Sequence, residues 1–454
     1  MSPNSGAPVA RPLARLHSRR TLTASLSSAA VLGALCLAGT LPAVASPDRT
    51  PKAPLVTATV ETRAVFDDEA GNNADADDPA IWVAPGNRSD SLVLGSLKNG
   101  GLDAYDLRGR LVQHVDAPAA PGEDLESSRF NNVDIATGVR ITGQKRDLAI
   151  VTDRGRDRLR FYAIDGSGAR YGKVLHDLTA ADAPRLFSPD EAAVEEQATG
   201  YGLAVRPDPT GGLPYVVVSQ RHRTTVGIFR LAVTSEGRLT YTPVDTVALP
   251  TAFPLSGGGS WVPCGEPGED PQVEGMVVDT VSDVLYAAQE DVGVWRVPLG
   301  RTGLGKPVLV ERVREFGASA TYDPETEECT VTGTSPASGK HLTADAEGLT
   351  IAYARNGDRT LIASSQGDST FSTFRIGRGW RYLDTFEVED SAASDGVQHS
   401  DGAAVVTTPL GRDYPRGLLV THDGENGPDV LDADGEVRAS TNFKFVDLRR
   451  ITLR

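Results

Sequence analysis

The sequence is poor in methionine, cysteine and aromatic residues, and it has fewer cations than anions. Its 454 residues include Met 2 and Cys 3, whereas Gly 47 and Pro 29 indicate many turns and few helices. Lys+Arg 45 against Asp+Glu 61 give a net charge of −16, so neither nucleic acid nor an anionic membrane is an expected partner. The 39% of hydrophobic and 23% of charged residues still suit a globular protein with a sizeable core.

Acidic residues are missing from the first 45 residues, which have the pattern of a secretion signal. A small-apolar run over residues 24–45 ends in an A-x-A cleavage pattern at 43–45, and residues 18–22 resemble a twin-arginine export motif. The four cations that precede the run are Arg11, Arg15, Arg19 and Arg20. Cleavage after Ala45 would remove these four charges and change the net charge from −16 to −20.

Long apolar runs are absent after the signal, since no later stretch approaches the roughly 18 continuous apolar residues of a membrane span. We expect a secreted, soluble monomer, divided into a signal at 1–45, a flexible N-terminus at 46–57 and one domain at 58–454. The mature chain keeps two cysteines, Cys264 and Cys329. They are compatible with one disulfide in an oxidising compartment, although the sequence leaves two unpaired thiols open.

One supersecondary unit recurs six times along the domain. Each copy has a polar residue, an apolar strand, a turn, a second strand, a polar break and a third strand, as in residues 78–107. The openings of successive copies lie 54–73 residues apart, with the longest insertions around 172–198, 251–272 and 315–344. This spacing predicts an all-β fold, a six-bladed β-propeller with long inter-blade loops. A strand at 58–62 and the C-terminal strands are expected to close the ring. The repeats are not divided by a Pro/Ser linker, which argues against the alternative of separate domains.

Equivalent positions of the repeat predict a site, because the start of strand one and the end of strand two share one end of an antiparallel hairpin. The strand-one openings are Asp77/Asp78, Asn132, Tyr201, Glu274, Glu347 and Asp401. The strand-two ends are Lys98, Arg154, Arg221, Glu290, Gln366 and Asp423. At least five carboxylates therefore crowd one mouth of the channel beside three cations.

This crowding favours a hard cation such as calcium, because closely packed carboxylates cannot all ionise without counter-charge. The cations suit phosphate oxygens, and metal with cations suits phosphoryl transfer to water. The alternative is that each acid only hydrogen-bonds a neighbouring blade.

Short motifs in chain order resemble the signatures of the β-propeller phytases, which are alkaline, calcium-dependent enzymes. They are D-A-D-D-P-A-I-W at 75–82, N-N-V-D-I at 131–135, E-G-M at 274–276, D-A-E-G-L at 345–349, A-S-S-Q-G at 363–367, S-D-G at 400–402 and D-G-E-N at 423–426. The resemblance covers roughly residues 60 to 450. It implies a phosphoric monoester hydrolase of the 3-phytase type, acting on the calcium–phytate complex with metal-activated water.

The resemblance also implies roles for individual residues. The implied catalytic set is Asp77, Lys98, Arg154, Tyr201, Arg221, Glu274, Glu347 and Asp401. The implied calcium set, for several catalytic and structural ions, is Asp77, Asp78, Val133, Glu274, Glu290, Asp345, Glu347, Gln366, Asp395, Asp401, Asp423, Glu425 and Asn426.

Four positions depart from the family pattern. Asn99 stands where many members have a second lysine, His222 where many have glutamate, and Ala198 where an asparagine helps to bind phosphate. Arg221 replaces a lysine, and the alignment leaves open whether Arg221 or Arg223 has that role.

Two other functions are compatible with a six-bladed propeller. One is a calcium-dependent lactonase or esterase, which needs fewer cations at the mouth. The other is a non-catalytic propeller that binds a carbohydrate or protein, which the full carboxylate set disfavours.

Overall fold

The computed structural model describes residues 55–453 except 124, 302 and 327. The predicted signal at 1–45 and residues 46–54 lie outside this part of the chain. One α-helix, α1 (Glu191–Glu195), is found in the described residues, and no helix there is long and apolar enough to cross a membrane. The 3₁₀ helices are Arg88–Asp90, Arg154–Arg156, Gly166–Tyr171, Gln366–Asp368 and Leu448–Arg450.

The first half of the described chain forms three short strands and then three blades of four antiparallel strands each. The short strands are β1 (Leu55–Thr57), β2 (Val60–Glu61) and β3 (Val65–Phe66). Blade 1 comprises β4 (Pro79–Trp82), β5 (Leu92–Ser96), β6 (Leu102–Asp106) and β7 (Leu111–Val115). Blade 2 comprises β8 (Phe130–Ile141), β9 (Gln144–Asp153), β10 (Arg158–Ile164) and β11 (Leu175–Asp177). Blade 3 comprises β12 (Gly200–Arg206), β13 (Tyr215–Gln220), β14 (Thr225–Val233) and β15 (Leu239–Ala248).

The second half forms three more blades and three two-stranded sheets. A first two-stranded sheet, β16 (Phe253–Pro254) with β17 (Ser260–Trp261), precedes blade 4, which has β18 (Val273–Asp279), β19 (Val284–Gln289), β20 (Gly293–Pro298) and β21 (Val308–Leu309). A second, β22 (Ala320–Asp323) with β23 (Glu328–Val331), precedes blade 5, which has β24 (Ala346–Tyr353), β25 (Arg359–Ser365), β26 (Thr370–Ile376) and β27 (Arg381–Glu389). Blade 6 has β28 (Ala403–Val406), β29 (Leu418–Asp423) and β32 (Ser440–Asp447), and it encloses the third sheet, β30 (Val430–Leu431) with β31 (Val437–Arg438). The prediction of a six-bladed propeller is confirmed.

Burial along one blade shows why these segments form strands. In β13 the valines at 216, 217 and 218 are all fully buried, because neighbouring blades cover both faces of a middle strand. β-Branched side chains suit such a pleated, doubly covered surface. In β15, at the outer edge of the same blade, residues 242–246 are exposed. The core therefore consists of layers between adjacent blades.

The ends of the described chain close the ring. The inner strands β4 and β28 contact each other, and β2 and β3 pair antiparallel with the C-terminal strand β32, which confirms the predicted closure. Strand β1 pairs in parallel with β27 at the edge of blade 5. Residues 55–57, which the sequence places at the end of the flexible segment 46–57, therefore belong to a strand instead. They are held by main-chain pairing with Glu387–Glu389.

The predicted insertions carry the extra elements of the fold. Residues 172–198 contain β11 and α1, 251–272 contain β16 and β17, and 315–344 contain β22 and β23. Cys264 and Cys329 form a disulfide with a Cα–Cα distance of 6.0 Å. The alternative of two unpaired thiols is thereby excluded, and the second and third insertions are covalently joined.

Candidate active site

β-Bulges shape the channel mouth at the same point of four inner strands. The pairing register shifts after Phe130 in β8, after Gly200 in β12, after Val273 in β18 and after Ala346 in β24. A bulge bends its strand and changes the direction of the side chains beside it. The residues that follow these four positions are Asn131, Tyr201, Glu274 and Glu347, and they meet at the mouth.

Glycine follows the acid in the E-G motifs because adjacent inner strands approach closely. A Cβ on Gly275 would lie 2.2 Å from the carbonyl oxygen of Glu347, and one on Gly348 would lie 2.7 Å from that of Asp401. The N–H of Gly348 donates to this same Asp401 oxygen at 2.7 Å. Any side chain at these two positions would separate the acids of neighbouring blades.

Three buried glutamates form the centre of the site. One carboxylate oxygen each from Glu274, Glu290 and Glu347 lies within 4.8 Å of the others, and the residues are 5%, 8% and 3% exposed. Glu290 Oε2 accepts from Gln272 Nε2 at 3.0 Å, but Glu290 Oε1 and Glu347 Oε2 have no donor within the described part of the chain. Burial raises the pKa of Glu290 and Glu347 well above the ordinary value, and the negative charge of Glu274 raises both further.

A lysine lies among the carboxylates of blades 1 and 6. Lys98 Nζ contacts Asp75 and is 3.5 Å from Asp77 Oδ1 and 3.7 Å from Asp401 Oδ2. Although burial opposes the charged form, these three acids raise the pKa of Lys98. Burial also raises the pKa of Asp77 to about 7 and that of Asp401 to about 6, although Lys98 opposes both shifts.

Hydrogen bonds orient Glu274 and Arg154. Glu274 accepts from Tyr201 Oη at 2.5 Å and from Asn131 Nδ2 at 2.5 Å, and Asn131 Oδ1 accepts from Arg154 Nη1 at 2.8 Å. The Arg154 guanidinium carbon lies 5.5 Å from the centre of the Tyr201 ring, within cation–π range. Burial, reinforced by Asp77, raises the pKa of Glu274 to about 7.

These carboxylates fit a metal ion. Buried carboxylate oxygens without donors are costly unless a cation satisfies them, and hard divalent cations prefer oxygen ligands. The residues that would hold such an ion are Asp77, Glu274, Glu290, Glu347 and Asp401.

Two further predicted ligand pairs lie beside the mouth. Asp78 Oδ2 accepts from the N–H of Val133 at 3.2 Å, so these residues meet, here through the amide rather than the carbonyl. Gln366 donates through Nε2 to Asp401 Oδ1 at 2.7 Å and through its N–H to the carbonyl of Asp345 at 2.9 Å. The structure therefore brings both pairs together.

The last predicted ligand group surrounds a lysine. The fully buried Lys444 Nζ contacts Asp395, is 2.6 Å from Glu61 Oε2 and lies 3.2 Å from Asp423 Oδ2. Asn426 joins them, since its Oδ1 lies 3.4 Å from the same ammonium. The repeat groups Asp423 with the strand ends at the mouth, and the structure pairs its carboxylate with Lys444, a cation from the last strand of the same blade.

Glu425 joins that group only through its backbone, since its N–H donates to Asp423 Oδ1 at 3.4 Å. Its side chain is 60% exposed and is 3.5 Å from His399 Nε2.

The region of the family departures is rebuilt by the second insertion. His222 Nδ1 is 2.7 Å from Glu269 Oε2, and Arg223 Nη1 donates to the carbonyls of His222 and Gly268. Arg221, in contrast, lines a cavity of about 1030 Å³ together with Glu290 and Asp345. Of the two arginines left open by the sequence, Arg221 therefore faces the site.

Several site residues were absent from the predicted set: Glu61, Asp75, Gln272, His422 and Lys444. Asn131 lies in the N-N-V-D-I motif, but the sequence gives it no role. The bulge in β8 decides whether Asn131 or Asn132 faces Glu274. His422 Nδ1 accepts the N–H of Asp401 at 2.9 Å, and burial lowers the pKa of His422 to about 4. It therefore holds the Asp401 backbone as a neutral imidazole.

The fold and site define a six-bladed propeller with a buried carboxylate centre and cations at one mouth. A sequence model of the phytase family, described as Phytase, matches residues 22–186 and 315–453. The 3-phytase of Bacillus subtilis (strain 168) is 30% identical over 398 residues, which covers 87% of this chain and 84% of that protein. The chain belongs to the phytase family, in its β-propeller form.

Solved structures resemble this chain only weakly. The β-propeller domain of Cps50 (Swd1) from Myceliophteria thermophila has a TM-score of 0.34 and 9% identity, over 80% of this chain and 82% of that one. A functionally unknown protein from Desulfotomaculum acetoxidans DSM 771 has a TM-score of 0.33 and 12% identity, over 69% and 70%. Likenesses this low carry no argument about function.

Proposed function

We propose that this protein is a calcium-dependent phosphomonoesterase that hydrolyses phytate (myo-inositol hexakisphosphate) to lower inositol phosphates and phosphate. The observation that carries the proposal is the buried triad Glu274, Glu290 and Glu347, with carboxylate oxygens that lack donors in the described chain, beside cations at the same mouth. Membership of the phytase family and the 3-phytase relative support phytate as the substrate.

Calcium is the ion we propose for the mouth. It accepts six to eight oxygen ligands in flexible geometry, which suits carboxylates that come from four different blades. When bound, calcium supplies positive charge that polarises phosphoryl oxygens and activates water. We propose further calcium ions at the Asp78–Val133 pair and at Asp345 with Gln366, whereas the ammonium of Lys444 already supplies the positive charge at the Asp395 group.

The chain's own groups bind and orient the phosphate. Arg154, fixed by Asn131 and stacked near Tyr201, presents a planar fork that matches phosphate oxygens. Tyr201 donates to Glu274 and so keeps that carboxylate turned toward the centre. Because the mouth is largely buried, these charges act in a medium where Coulomb interactions are stronger than in water.

The cations of the mouth also distinguish this function from its competitors. A lactonase needs no second cation group around its metal, whereas Lys98, Arg154 and Arg221 all lie at or beside this centre. A binding propeller needs no buried carboxylates without donors. Phosphate ester hydrolysis uses both features.

We also propose that the protein is exported, cleaved after Ala45 and monomeric. The A-x-A pattern supports cleavage, and the Cys264–Cys329 disulfide suits an oxidising compartment. N-terminal sequencing of the secreted chain should begin at Ser46. Intact residues 1–45 on the exported protein would contradict the proposal.

The experiment for the main proposal is phosphate release from sodium phytate by the mature chain at neutral pH, with calcium and after chelation. We expect release only with calcium, and its loss in Glu347→Gln measured on protein of normal circular dichroism. A small phosphomonoester and a lactone serve as parallel substrates. Lactone cleavage without phosphate release from folded protein would overturn the assignment.

A further inference from the structure

Buried hydroxyl groups recur at one position of the propeller repeat, two residues before each strand-two end. Five of the six blades have serine or threonine at this position, and blade 4 has Ala288. The five residues, each at most 1% exposed, are Ser96, Thr152, Ser219, Ser364 and Thr421. A buried hydroxyl needs a hydrogen-bond partner, and the partner differs between odd-numbered and even-numbered blades.

The serine of blade 3 ties together two backbone segments that carry site residues. Ser219 Oγ donates to the carbonyl of Val273 at 2.6 Å and accepts from the N–H of Gly202 at 2.9 Å. Glu274 follows Val273 at the bulge of β18, and Tyr201 precedes Gly202. One hydroxyl therefore fixes the backbone on both sides of the Tyr201–Glu274 hydrogen bond.

The serine of blade 5 has the same relation to the acid of blade 6. Ser364 Oγ donates to the carbonyl of Ser400 at 2.7 Å. The N–H of the same peptide group belongs to Asp401, and it donates to His422 Nδ1 at 2.9 Å. The peptide from which the Asp401 side chain projects is thus held on both sides.

The serine of blade 1 contacts the bulge of blade 2. Ser96 Oγ donates to the carbonyl of Asn131 and accepts from the N–H of Asp78 at 3.1 Å. The Asn131 side chain in turn donates to Glu274 and accepts from Arg154. A bulge interrupts the regular strand pairing, so the backbone groups beside it need other partners, and here a hydroxyl of the preceding blade supplies one.

The even-numbered blades lack this contact in the described part of the chain. Thr152 Oγ1 accepts from the N–H of Asn132 in its own blade at 3.0 Å, and Thr421 Oγ1 is buried without a hydrogen-bond partner. Ala288 has no hydroxyl at all. Since blade 4 packs with alanine at this position, the contact between blades is not a general requirement of the repeat.

We infer that the three serines of the odd-numbered blades are positioning residues of the active site. Each hydroxyl fixes the backbone from which a side chain of the next blade projects into the mouth, and the side chains held in this way are Asn131, Glu274 and Asp401. The inference rests on the proposed function and deepens it, because the directions of these side chains decide whether the carboxylates converge on one ion.

The test measures calcium binding by calorimetry and phytate hydrolysis in Ser219→Ala and Ser364→Ala. Both variants should fold, because alanine already occupies the equivalent position of blade 4. Removing a group that orients a metal ligand typically lowers metal affinity or activity about 10- to 100-fold. We therefore expect each variant to lose about 10-fold or more in calcium affinity at the mouth and in kcat/KM. Ser219→Thr, which keeps the hydroxyl, should restore most of both.

Two controls lose a buried hydroxyl away from this contact. Thr421→Val removes the hydroxyl at the equivalent position of blade 6 and keeps the shape of the side chain. Ser91→Ala, immediately before β5, loses a bond to the carbonyl of Arg88 at 2.7 Å and one from the N–H of Ala84 at 3.0 Å. Both controls should keep the calcium affinity and kcat/KM of the parent, even where their stability falls.

A crystal structure of metal-free Ser219→Ala separates this inference from the proposed function. The Glu274 carboxylate should move by about 0.5 Å or more relative to Glu290, beyond the tolerance of a preorganised site. An unmoved carboxylate, unchanged calcium binding in both serine variants, or equal losses in the controls would overturn the inference. If the parent neither binds calcium nor releases phosphate, the proposed function fails, whereas the displacement still tests Ser219.

Discussion

Two acidic clusters of this propeller differ in whether a cation of the chain pairs with their negative charge. At the mouth, Glu274, Glu290 and Glu347 meet with carboxylate oxygens that have no donor among the described residues. Behind blade 6, Asp395 and Asp423 surround the ammonium of Lys444. The first cluster has no cation against these oxygens and fits an external one, whereas the second has a cation in the chain. The difference teaches that an acidic cluster indicates a metal only where the fold provides no counter-ion of its own.

The largest difference between the clusters should appear in catalysis. Glu347→Gln keeps the shape of the side chain but removes a charge from the mouth, and we expect kcat/KM on phytate to fall by about 10²- to 10³-fold. Asp395→Asn changes the Lys444 cluster by the same chemistry and should leave the activity of each folded molecule near that of the parent. Equal losses in the two variants, measured with matched calcium, would remove the distinction.

The next difference should appear in stability without metal. Lys444→Met leaves Asp395, Asp423 and Glu61 without their ammonium, so the free energy of unfolding in chelator should fall by about 3–5 kcal/mol. Calcium should restore part of this loss, since the vacated carboxylates could then bind it. Urea denaturation with and without calcium measures both effects. A loss below about 1 kcal/mol would mean that this buried lysine contributes no more than a surface ion pair.

The smallest difference should appear in the pH dependence of the metal-free protein. Burial raises the pKa of Asp77 and Glu274 to about 7, above the ordinary value of about 4. These carboxyls stay protonated in the folded chain after the unfolded chain has lost its protons. The free energy of unfolding should therefore fall as pH rises from about 4 to about 7.

The control for this prediction is Glu274→Gln, which cannot titrate at that position. Its denaturation series in chelator should fall less steeply with pH than that of the parent. Calcium should oppose the fall in the parent, because it favours the ionised carboxylates. An identical slope in parent and variant would show that Glu274 carries no raised pKa.

Much of this arrangement could be predicted from the residues. The six repeats predicted the blades, and the openings at Glu274, Glu347 and Asp401 predicted the acids of the mouth, because hairpin geometry fixes which strand ends meet. Asp423 was grouped with them for the same reason. Its pairing with Lys444 could not be predicted, because Lys444 comes from the last strand of the blade and no spacing in the sequence brings the two together.

Other features depended on local backbone geometry. A β-bulge decides whether Asn131 or Asn132 faces Glu274, and a pairing register is not visible in a single chain. The disulfide likewise required the two insertions to bring Cys264 and Cys329 to a Cα–Cα distance of 6.0 Å.

The sequence by itself determined the architecture and the kind of chemistry, because repeat spacing and strand alternation are local properties that the chain carries in order. The glycines after Glu274 and Glu347 were part of that local information, since only glycine allows the close approach seen at Gly275 and Gly348. Only the tertiary structure decided which charges are satisfied within the chain. That outcome depends on contacts between segments far apart in the chain, such as that between Lys444 and Asp395.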